Sequence, residues 1–194
     1  MNRAGFLLDL GRCVGCGACV VACRIENDLP PDVSWRRVLP LNLDRHPGGP
    51  TYHLSVACHH CDNPACLRAC PSGAYERRTD GTVVLNEERC LGCRYCEMAC
   101  PFGAPSYDEE TGLMTKCDFC SERIAVDLPP ACIEACPTGA LRELPDDLEE
   151  DIVVPGFVDP AGCRPSLSFV QPGGALRISR MERLKEVLEK QVCQ

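Results

Sequence analysis

Short runs of apolar residues alternate with polar turns along this chain. The runs predict five short strands, at Ala4–Asp9, His53–Ala57, Tyr75–Arg78, Val83–Asn86 and Leu141–Leu144. They also predict four short helices, at Ala18–Ile25, Ala65–Ala69, Tyr95–Ala99 and Ala131–Ala135. Asp80-Gly81 separates the third and fourth strands and is a common hairpin turn. The fold class predicted from this pattern is α+β, built from small units.

Two longer segments have a different pattern. Residues 27–52 hold the only tryptophan, Trp35, and predict an inserted arm that loops over the surface. The arm either docks a partner or is a solvated loop with Trp35 against the body. Residues 145–194 begin with an acidic, proline-rich stretch that we expect to wrap around the surface. Apolar residues at roughly helical spacing then predict an amphipathic helix over Ala175–Val192.

The composition predicts a thin apolar core. The hydrophobic fraction of 45% includes eighteen cysteines, aromatic residues make up 5%, and the chain has 16 Gly and 17 Pro. A net charge of −8 argues against nucleic acid as a partner. No stretch approaches the roughly twenty apolar residues that span a bilayer, and Met1–Leu10 does not resemble a secretory signal. Membrane attachment or export is therefore expected to come from partners.

Sixteen of the cysteines fall into four groups along the chain. The groups are Cys13, Cys16, Cys19, Cys23; Cys58, Cys61, Cys66, Cys70; Cys90, Cys93, Cys96, Cys100; and Cys117, Cys120, Cys132, Cys136. The third group, with Pro101, has the spacing C-x2-C-x2-C-x3-C-P of two-cluster ferredoxins, in which the last cysteine ligates another cluster. The first group repeats this spacing with Arg24 in place of proline, and the other two lengthen one gap. The pattern predicts iron–sulfur clusters that share ligands between groups.

Three other interpretations use the same residues. Structural zinc is bound by isolated C-x2-C pairs rather than by repeated triplets. A disulfide framework would not explain the repeated Cys-Pro. His59 and His60 suggest a Rieske centre, but the sequence lacks the second cysteine–histidine motif that such a centre needs. We therefore interpret them as loop or near-cluster polar residues. Cys163 and Cys193 belong to no group, and we expect no cluster role for them.

An internal duplication organises the chain. Arg12-Cys13-Val14-Gly15-Cys16 matches Arg89-Cys90-Leu91-Gly92-Cys93, and the segment 66–74 matches 132–140. Two ferredoxin-like halves are therefore expected. Three basic residues precede a cluster cysteine, and each either raises a cluster potential or is ordinary surface charge: Lys116, Arg12 and Arg89.

Three residue strings around the cysteines are specific. They are Cys66-Leu67-Arg68-Ala69-Cys70-Pro71-Ser72-Gly73-Ala74, Arg89-Cys90-Leu91-Gly92-Cys93-Arg94-Tyr95-Cys96-Glu97-Met98-Ala99-Cys100-Pro101-Phe102-Gly103-Ala104 and Lys116-Cys117-Asp118-Phe119-Cys120. With them, residues 6–144 resemble the iron–sulfur subunit of the dimethyl sulfoxide reductase family, the electron-transfer partner of molybdopterin oxidoreductases.

The resemblance implies four 4Fe–4S clusters held by cross-paired groups. Set 1 would be Cys13, Cys16, Cys19 and Cys136; set 2 Cys117, Cys120, Cys132 and Cys23; set 3 Cys58, Cys61, Cys66 and Cys100; and set 4 Cys90, Cys93, Cys96 and Cys70. Residues 1–26 with 115–144 would form one ferredoxin-like half with sets 1 and 2. Residues 53–114 would form the other half with sets 3 and 4.

The function implied is non-catalytic electron transfer between a molybdenum or tungsten catalytic subunit and a quinone-reactive membrane subunit. The first two clusters would lie toward the catalytic subunit and the other two toward the membrane subunit. A periplasmic location is favoured over a cytoplasmic one. The alternative is a free-standing soluble polyferredoxin that serves several redox enzymes. The terminal substrate depends on the catalytic subunit.

Overall fold

The computed structural model describes residues 4–41, 51–145 and 162–170. Within these ranges the chain is a mixed α+β fold of short elements. The strands are β1 (Phe6–Asp9), β2 (Arg37–Leu41), β3 (Tyr52–Val56), β4 (Tyr75–Arg77), β5 (Val83–Leu85), β6 (Ser106–Asp108), β7 (Leu113–Thr115), β8 (Leu141–Glu143) and β9 (Leu167–Val170). The α-helices are α1 (Ala18–Glu26), α2 (Ala65–Ala69), α3 (Tyr95–Ala99), α4 (Ser121–Ile124) and α5 (Ala131–Glu134). The predicted helix over 175–192 and Cys193 lie outside the described residues.

One three-stranded sheet joins distant parts of the chain. The central strand β1 pairs antiparallel with β8 and parallel with β9. Phe6 and Leu8 of β1 are buried in the apolar core. The prediction that the tail wraps around the surface is wrong for Leu167–Val170. These residues form strand β9 of the sheet, and Phe169 is buried. Parallel pairing needs a long connection, which local sequence signals do not reveal.

The segment 27–52 contains a strand that its sequence did not predict. Arg37–Leu41 forms β2 and pairs antiparallel with β3, so the prediction of a loop throughout this segment is wrong. Pro40 removes one backbone donor, which an edge strand tolerates. Trp35 packs against the body of the protein rather than extending from it. The side chains before β2 are therefore fixed close to the cysteines.

Two hairpins lie beside the second and third cysteine groups. The hairpin predicted at Asp80-Gly81 is confirmed, because β4 and β5 pair antiparallel. The pair β6–β7 was not predicted; its turn is closed by a hydrogen bond from Gly112 N to Asp108 O of 2.9 Å. The β6–β7 hairpin brings the N–H of Met114 to the sulfur of Cys90, whereas Val83 N of the β4–β5 hairpin donates to His60 Nδ1.

Buried cysteines are part of each of the three apolar cores in the described residues. The first core lies under the three-stranded sheet and includes Cys23 and Cys132. The second includes Cys58, Cys100 and Cys117, and the third includes Cys66 and Cys96. Leu54 and Val56 of β3 pack in the first core, so β3 contacts the residues predicted for the first half.

Candidate iron–sulfur cluster sites

The four cysteines of set 1 line one cavity. Cys13, Cys16 and Cys19 come from the loop before α1 and its first turn, and Cys136 follows α5. The space measures about 330 Å³, including its opening to solvent. Helix α1 packs against α5, which is how residues more than a hundred positions apart in the chain meet here. Cys16 is the exposed member.

The four cysteines of set 3 line a second cavity. Cys58, Cys61 and Cys66 surround it with Cys100, which follows α3. The space measures about 360 Å³, again including its opening. Helices α2 and α3 pack together and bring Cys100 to this position. Lys116 is also part of the wall.

Cys163 lies at the wall of the same cavity. It is 1% exposed, and it packs in the core that holds Cys58 and Cys100. The segment carrying it is joined to the group-two loop by hydrogen bonds from Asp62 N to Arg164 O and from Asn63 N to Cys163 O. Cys163 has no cysteine near it in the sequence that would have suggested this position. It reaches the cavity because the segment that leads into β9 returns to this part of the fold.

The cysteines of set 2 are buried and interact with one another. Cys23, Cys117, Cys120 and Cys132 are all buried, and they come from α1, the loop before α4 and α5. Burial raises the pKa of Cys23 to about 12, and the nearby Cys132 and Cys120 raise it further, while the charge of Arg36 opposes them. The thiols are therefore close enough to interact electrostatically.

The cysteines of set 4 surround the third core. Cys96 is buried in it, Cys70 and Cys90 pack against it, and Cys93 is exposed. Burial raises the pKa of Cys96, and the neighbouring Cys90 adds to this effect. Three of the four residues are thus grouped around one core, with Cys93 at the surface beside them.

The sets follow one another in a row. Cys19 of set 1 interacts electrostatically with Cys23 and Cys132 of set 2. Cys117 of set 2 shares a core with Cys58 of set 3, and the two thiols interact electrostatically. Cys66 of set 3 shares the third core with Cys96 of set 4. The order is therefore 1, 2, 3, 4.

Backbone N–H groups point at several cysteine sulfurs. Cys90 Sγ accepts from Gly92 N and Met114 N, both at 3.4 Å. The sulfurs of Cys70, Cys117 and Cys136 accept in the same way, from Ala74 N, Phe119 N and Leu141 N at 3.4 to 3.5 Å. Hydrogen bonds to sulfur stabilise its negative charge and raise the potential of an iron–sulfur cluster. The loops are therefore folded to hold thiolate sulfur.

Two positive side chains are buried among the cysteines. Arg36 is 2% exposed and Lys116 is 4% exposed. Lys116 Nζ donates to the carbonyl oxygens of Val83 and Cys117. Arg12 and Arg89, by contrast, are exposed. Lys116 is thus next to sets 2 and 3 as its sequence position suggested, whereas Arg36 was missed, because nothing in Trp35-Arg36-Arg37 links it to a cysteine.

The two adjacent histidines are buried rather than part of an open loop. His60 Nδ1 accepts from Val83 N at 3.0 Å, so Nε2 carries the proton of the neutral ring. That nitrogen is 3.9 Å from Cys117 Sγ. Burial lowers the pKa of His59 to about 3, and the charge of Arg36 lowers it further. Both rings are neutral, and His60 is a hydrogen-bond donor directed at set 2.

Several large apolar side chains are exposed near the cysteine loops, and others are exposed elsewhere: Val21, Ile25, Ile124, Val126 and Leu128. Val14 is 62% exposed in the set 1 loop, and Leu91 is 70% exposed in the set 4 loop. Tyr95 and Met98 on α3 add to the surface at Leu91. Large apolar side chains grouped on a surface are typical of protein contacts. Within residues 4–41, 51–145 and 162–170, no helix is long and apolar enough to cross a membrane.

The donor set and its surroundings fit iron–sulfur clusters. Cysteine sulfur is the usual ligand of 4Fe–4S clusters. Sets 1 and 3 each enclose a space between four sulfurs, and cysteines of sets 2, 3 and 4 pack inside apolar cores. Burial raises the pKa of Cys66 to about 12, opposed by the charge of Lys116, and of Cys100 to about 11. Bound metal would offset this cost of ionising the thiols.

Comparisons with known proteins show 4Fe-4S domains in this chain. A family model described as a 4Fe-4S dicluster domain matches residues 50–144, and one described as a 4Fe-4S binding domain matches residues 13–26. The B subunit of the anaerobic dimethyl sulfoxide reductase of Escherichia coli K12 is 48% identical over 154 residues, covering 75% of each protein. The subunit of the same name from Haemophilus influenzae is 38% identical over 194 residues, covering 95% of this chain and 93% of its own length. The thiosulfate reductase electron transfer subunit PhsB of Salmonella typhi is 40% identical over 144 residues, covering 73% of this chain and 75% of its own.

Proposed function

Because this chain belongs to the family of iron–sulfur electron-transfer subunits of dimethyl sulfoxide reductase-type complexes, we propose that it relays electrons between a molybdopterin catalytic subunit and a quinone-reactive membrane subunit. The observation that carries the proposal is the row of four cysteine sets, in which each set contacts the next. A subunit of this kind holds no catalytic site of its own.

We propose four 4Fe–4S clusters, one for each set. Cys13, Cys16, Cys19 and Cys136 would hold the first; Cys117, Cys120, Cys132 and Cys23 the second; Cys58, Cys61, Cys66 and Cys100 the third; and Cys90, Cys93, Cys96 and Cys70 the fourth. The shared cavities of sets 1 and 3 support the cross-pairing between groups. The two ferredoxin-like halves, residues 1–26 with 115–144 and residues 53–114, follow from the same pairing.

The residues of the chain adapt this site to electron transfer. When bound, each cluster accepts and releases one electron. The apolar cores exclude water, and the backbone N–H groups stabilise negative sulfur in a fixed geometry. Such preorganised donors need little rearrangement when the charge changes. Buried Lys116 and Arg36 offset the added negative charge at the middle of the row.

The ends of the row are proposed to face the two partners. Set 1, with exposed Cys16 and Val14, would face the catalytic subunit. Set 4, with exposed Cys93 beside Leu91 and Met98, would face the membrane subunit. The apolar side chains at each end support contact with another protein. We further propose that the complex lies on the periplasmic face of the membrane, with the chain exported beside its catalytic partner.

Anaerobic purification of the tagged chain from its native host tests this function. We expect about sixteen iron atoms and as many acid-labile sulfides per molecule, together with a molybdopterin-containing large subunit and a membrane subunit. Addition of a quinol should reduce the clusters within the intact complex. A brown monomer that purifies alone would favour the free-standing polyferredoxin. A colourless protein with bound zinc would contradict the whole proposal.

Protease treatment of spheroplasts tests the location. Digestion of the tagged chain in intact spheroplasts would support the periplasmic face. Digestion only after the spheroplasts are lysed would assign the chain to the cytoplasmic face. A known periplasmic protein and a known cytoplasmic protein serve as controls in the same samples.

A further inference from the structure

Arg36 is a buried cation without a carboxylate partner. Its side chain is 2% exposed, and none of the ion pairs formed in the described parts of the chain involves it. The guanidinium lies over the Phe6 ring, 4.4 Å from its centre, and Nη1 donates to Ser55 Oγ at 2.9 Å. Its Nε and Nη2 have no oxygen or nitrogen acceptor among the described protein residues, and the guanidinium hydrogen-bonds to the Cys132 side chain. A buried charge of this kind is costly unless an opposite charge compensates it.

The groups that offset this charge are cysteine sulfurs. The guanidinium packs on Phe6, which shares the first core with Cys23 and Cys132 of set 2, and Cys19 of set 1 packs against the same core. In agreement with this packing, although burial lowers the pKa of Arg36, nearby thiols raise it; these are Cys132, Cys117, Cys19 and Cys23. Arg36 is therefore electrostatically coupled to both sets.

Ser55 extends this interaction to set 1. Its hydroxyl oxygen accepts from Arg36, which leaves its own proton free to donate to Cys19 Sγ at 3.5 Å. Hydrogen bonds in a chain polarise one another, so the positive charge strengthens the bond to sulfur. Strands β2 and β3 hold the pair in place, because Arg36 directly precedes β2 and Ser55 lies within β3.

We propose that Arg36 is a shared counter-cation that raises the reduction potentials of the two neighbouring clusters of sets 1 and 2. It acts on set 2 through space and on set 1 also through the hydroxyl of Ser55. Reduction adds one negative charge to a cluster, and a nearby fixed positive charge stabilises that form. This inference rests on the proposed ligand sets. It makes Arg36 and Ser55 positioning and tuning residues rather than ligands.

Redox titration of the intact complex, followed by electron paramagnetic resonance, tests the proposal. The variants are Arg36→Met, which removes the charge; Arg36→Lys, which keeps it; and Ser55→Ala, which removes only the hydroxyl. The matched control is Arg12→Met, because Arg12 directly precedes Cys13 but is exposed to solvent. The signal lost in a Cys19→Ser variant identifies the set 1 cluster, and the signal lost in Cys120→Ser identifies the set 2 cluster.

Arg36→Met should lower the equilibrium constant for reduction of both clusters by about tenfold, equivalent to about 59 mV for a one-electron couple. Arg36→Lys should recover most of this loss. Ser55→Ala should lower the set 1 potential alone, and Arg12→Met should change neither by more than about twofold in the same constant. The resonance signals of the set 3 and set 4 clusters provide an internal reference in every sample.

Unchanged set 1 and set 2 potentials in an Arg36→Met complex that retains its iron would overturn the proposal. If Arg36→Met does not assemble its clusters, Ser55→Ala decides the question, and an unchanged set 1 potential in that variant would overturn it. A wild-type protein without four clusters would instead refute the proposed function, since the iron assay is independent of the shift between variants.

Discussion

Gly92 offers a test of how closely the cysteine loops are built. It lies between Cys90 and Cys93 with φ of +63°, and its N–H donates to Cys90 Sγ. In a Gly92→Ala variant, the new Cβ would lie within 3.0 Å of the carbonyl oxygen of Gly112, closer than real Cβ atoms approach another atom. The obstacle is backbone in the β6–β7 turn, which a rotamer change does not relieve.

Gly17 is the matched control. It has a similar φ of +75°, and a Cβ added there meets nothing within 4 Å. The duplication supports this choice, because Gly17 corresponds to Arg94, which adopts φ of +62° with a full side chain. Both substitutions share the cost of a left-handed residue with a Cβ, about 1–2 kcal/mol. Only Gly92→Ala adds the clash, about 1–3 kcal/mol on the scale of overpacked sites.

Thermal unfolding under anaerobic conditions measures the difference. The visible absorption of the clusters and the far-ultraviolet circular dichroism are followed at one heating rate, with iron analysed beforehand. Gly17→Ala should lower Tm by about 2–8 °C, since 1 kcal/mol corresponds to about 2–4 °C at this size. Gly92→Ala should lower Tm by about twice as much and lose iron from the set 4 cluster. Equal Tm values and equal iron contents would refute the reasoning.

Four further predictions concern single side chains and the metal. Lys116→Met should destabilise the protein by about 2–4 kcal/mol, because the buried carbonyls of Val83 and Cys117 lose their donor; denaturant unfolding measures this, and a loss below about 0.5 kcal/mol would contradict it. Cys93→Ser should lower the iron content by one to four atoms and change only the set 4 resonance signal, with altered set 1 signals arguing against the ligand sets. Leu91→Asp should release the membrane subunit while leaving the iron content unchanged, and retention of that subunit on purification would argue against this docking surface. Removal of iron by an oxidant with a chelator should abolish the far-ultraviolet signal of the fold, whereas a folded apoprotein would show that cluster binding and folding are not coupled.

The cysteine spacing indicated the iron–sulfur chemistry, and the residue strings around the cysteines were sufficient to recognise the family. Repeated C-x2-C-x2-C triplets with a following C-P leave few other ligand chemistries, and the relatives and family models confirm the family and the iron–sulfur chemistry. The alternation of apolar runs and turns correctly predicted the β4–β5 hairpin, because Asp80-Gly81 is a local turn signal. The assignment of ligands to sets stays a prediction, supported by the cavities that sets 1 and 3 line.

Residues that approach the cysteines from distant segments were not predictable in this way. Arg36 and Ser55 reach Cys19 only because β2 pairs with β3, and the sequence of β2 includes a proline that is unusual in strands. Cys163 reaches the set 3 cavity through the segment leading into β9, which pairs parallel with β1. The parallel pairing of β1 with β9 joins segments that are distant in the sequence, and no local turn signal indicates it.

The amino-acid sequence by itself indicated that cysteine sulfurs are the iron–sulfur ligands and that they fall into four groups along the chain. It could do so because ligand spacing along a short loop is a local property. Only the tertiary structure showed that cysteines of different groups lie close together and which charges are buried beside them. Those features depend on contacts between distant segments, and the electrostatic effect of Arg36 or Lys116 depends on burial, which no local pattern specifies.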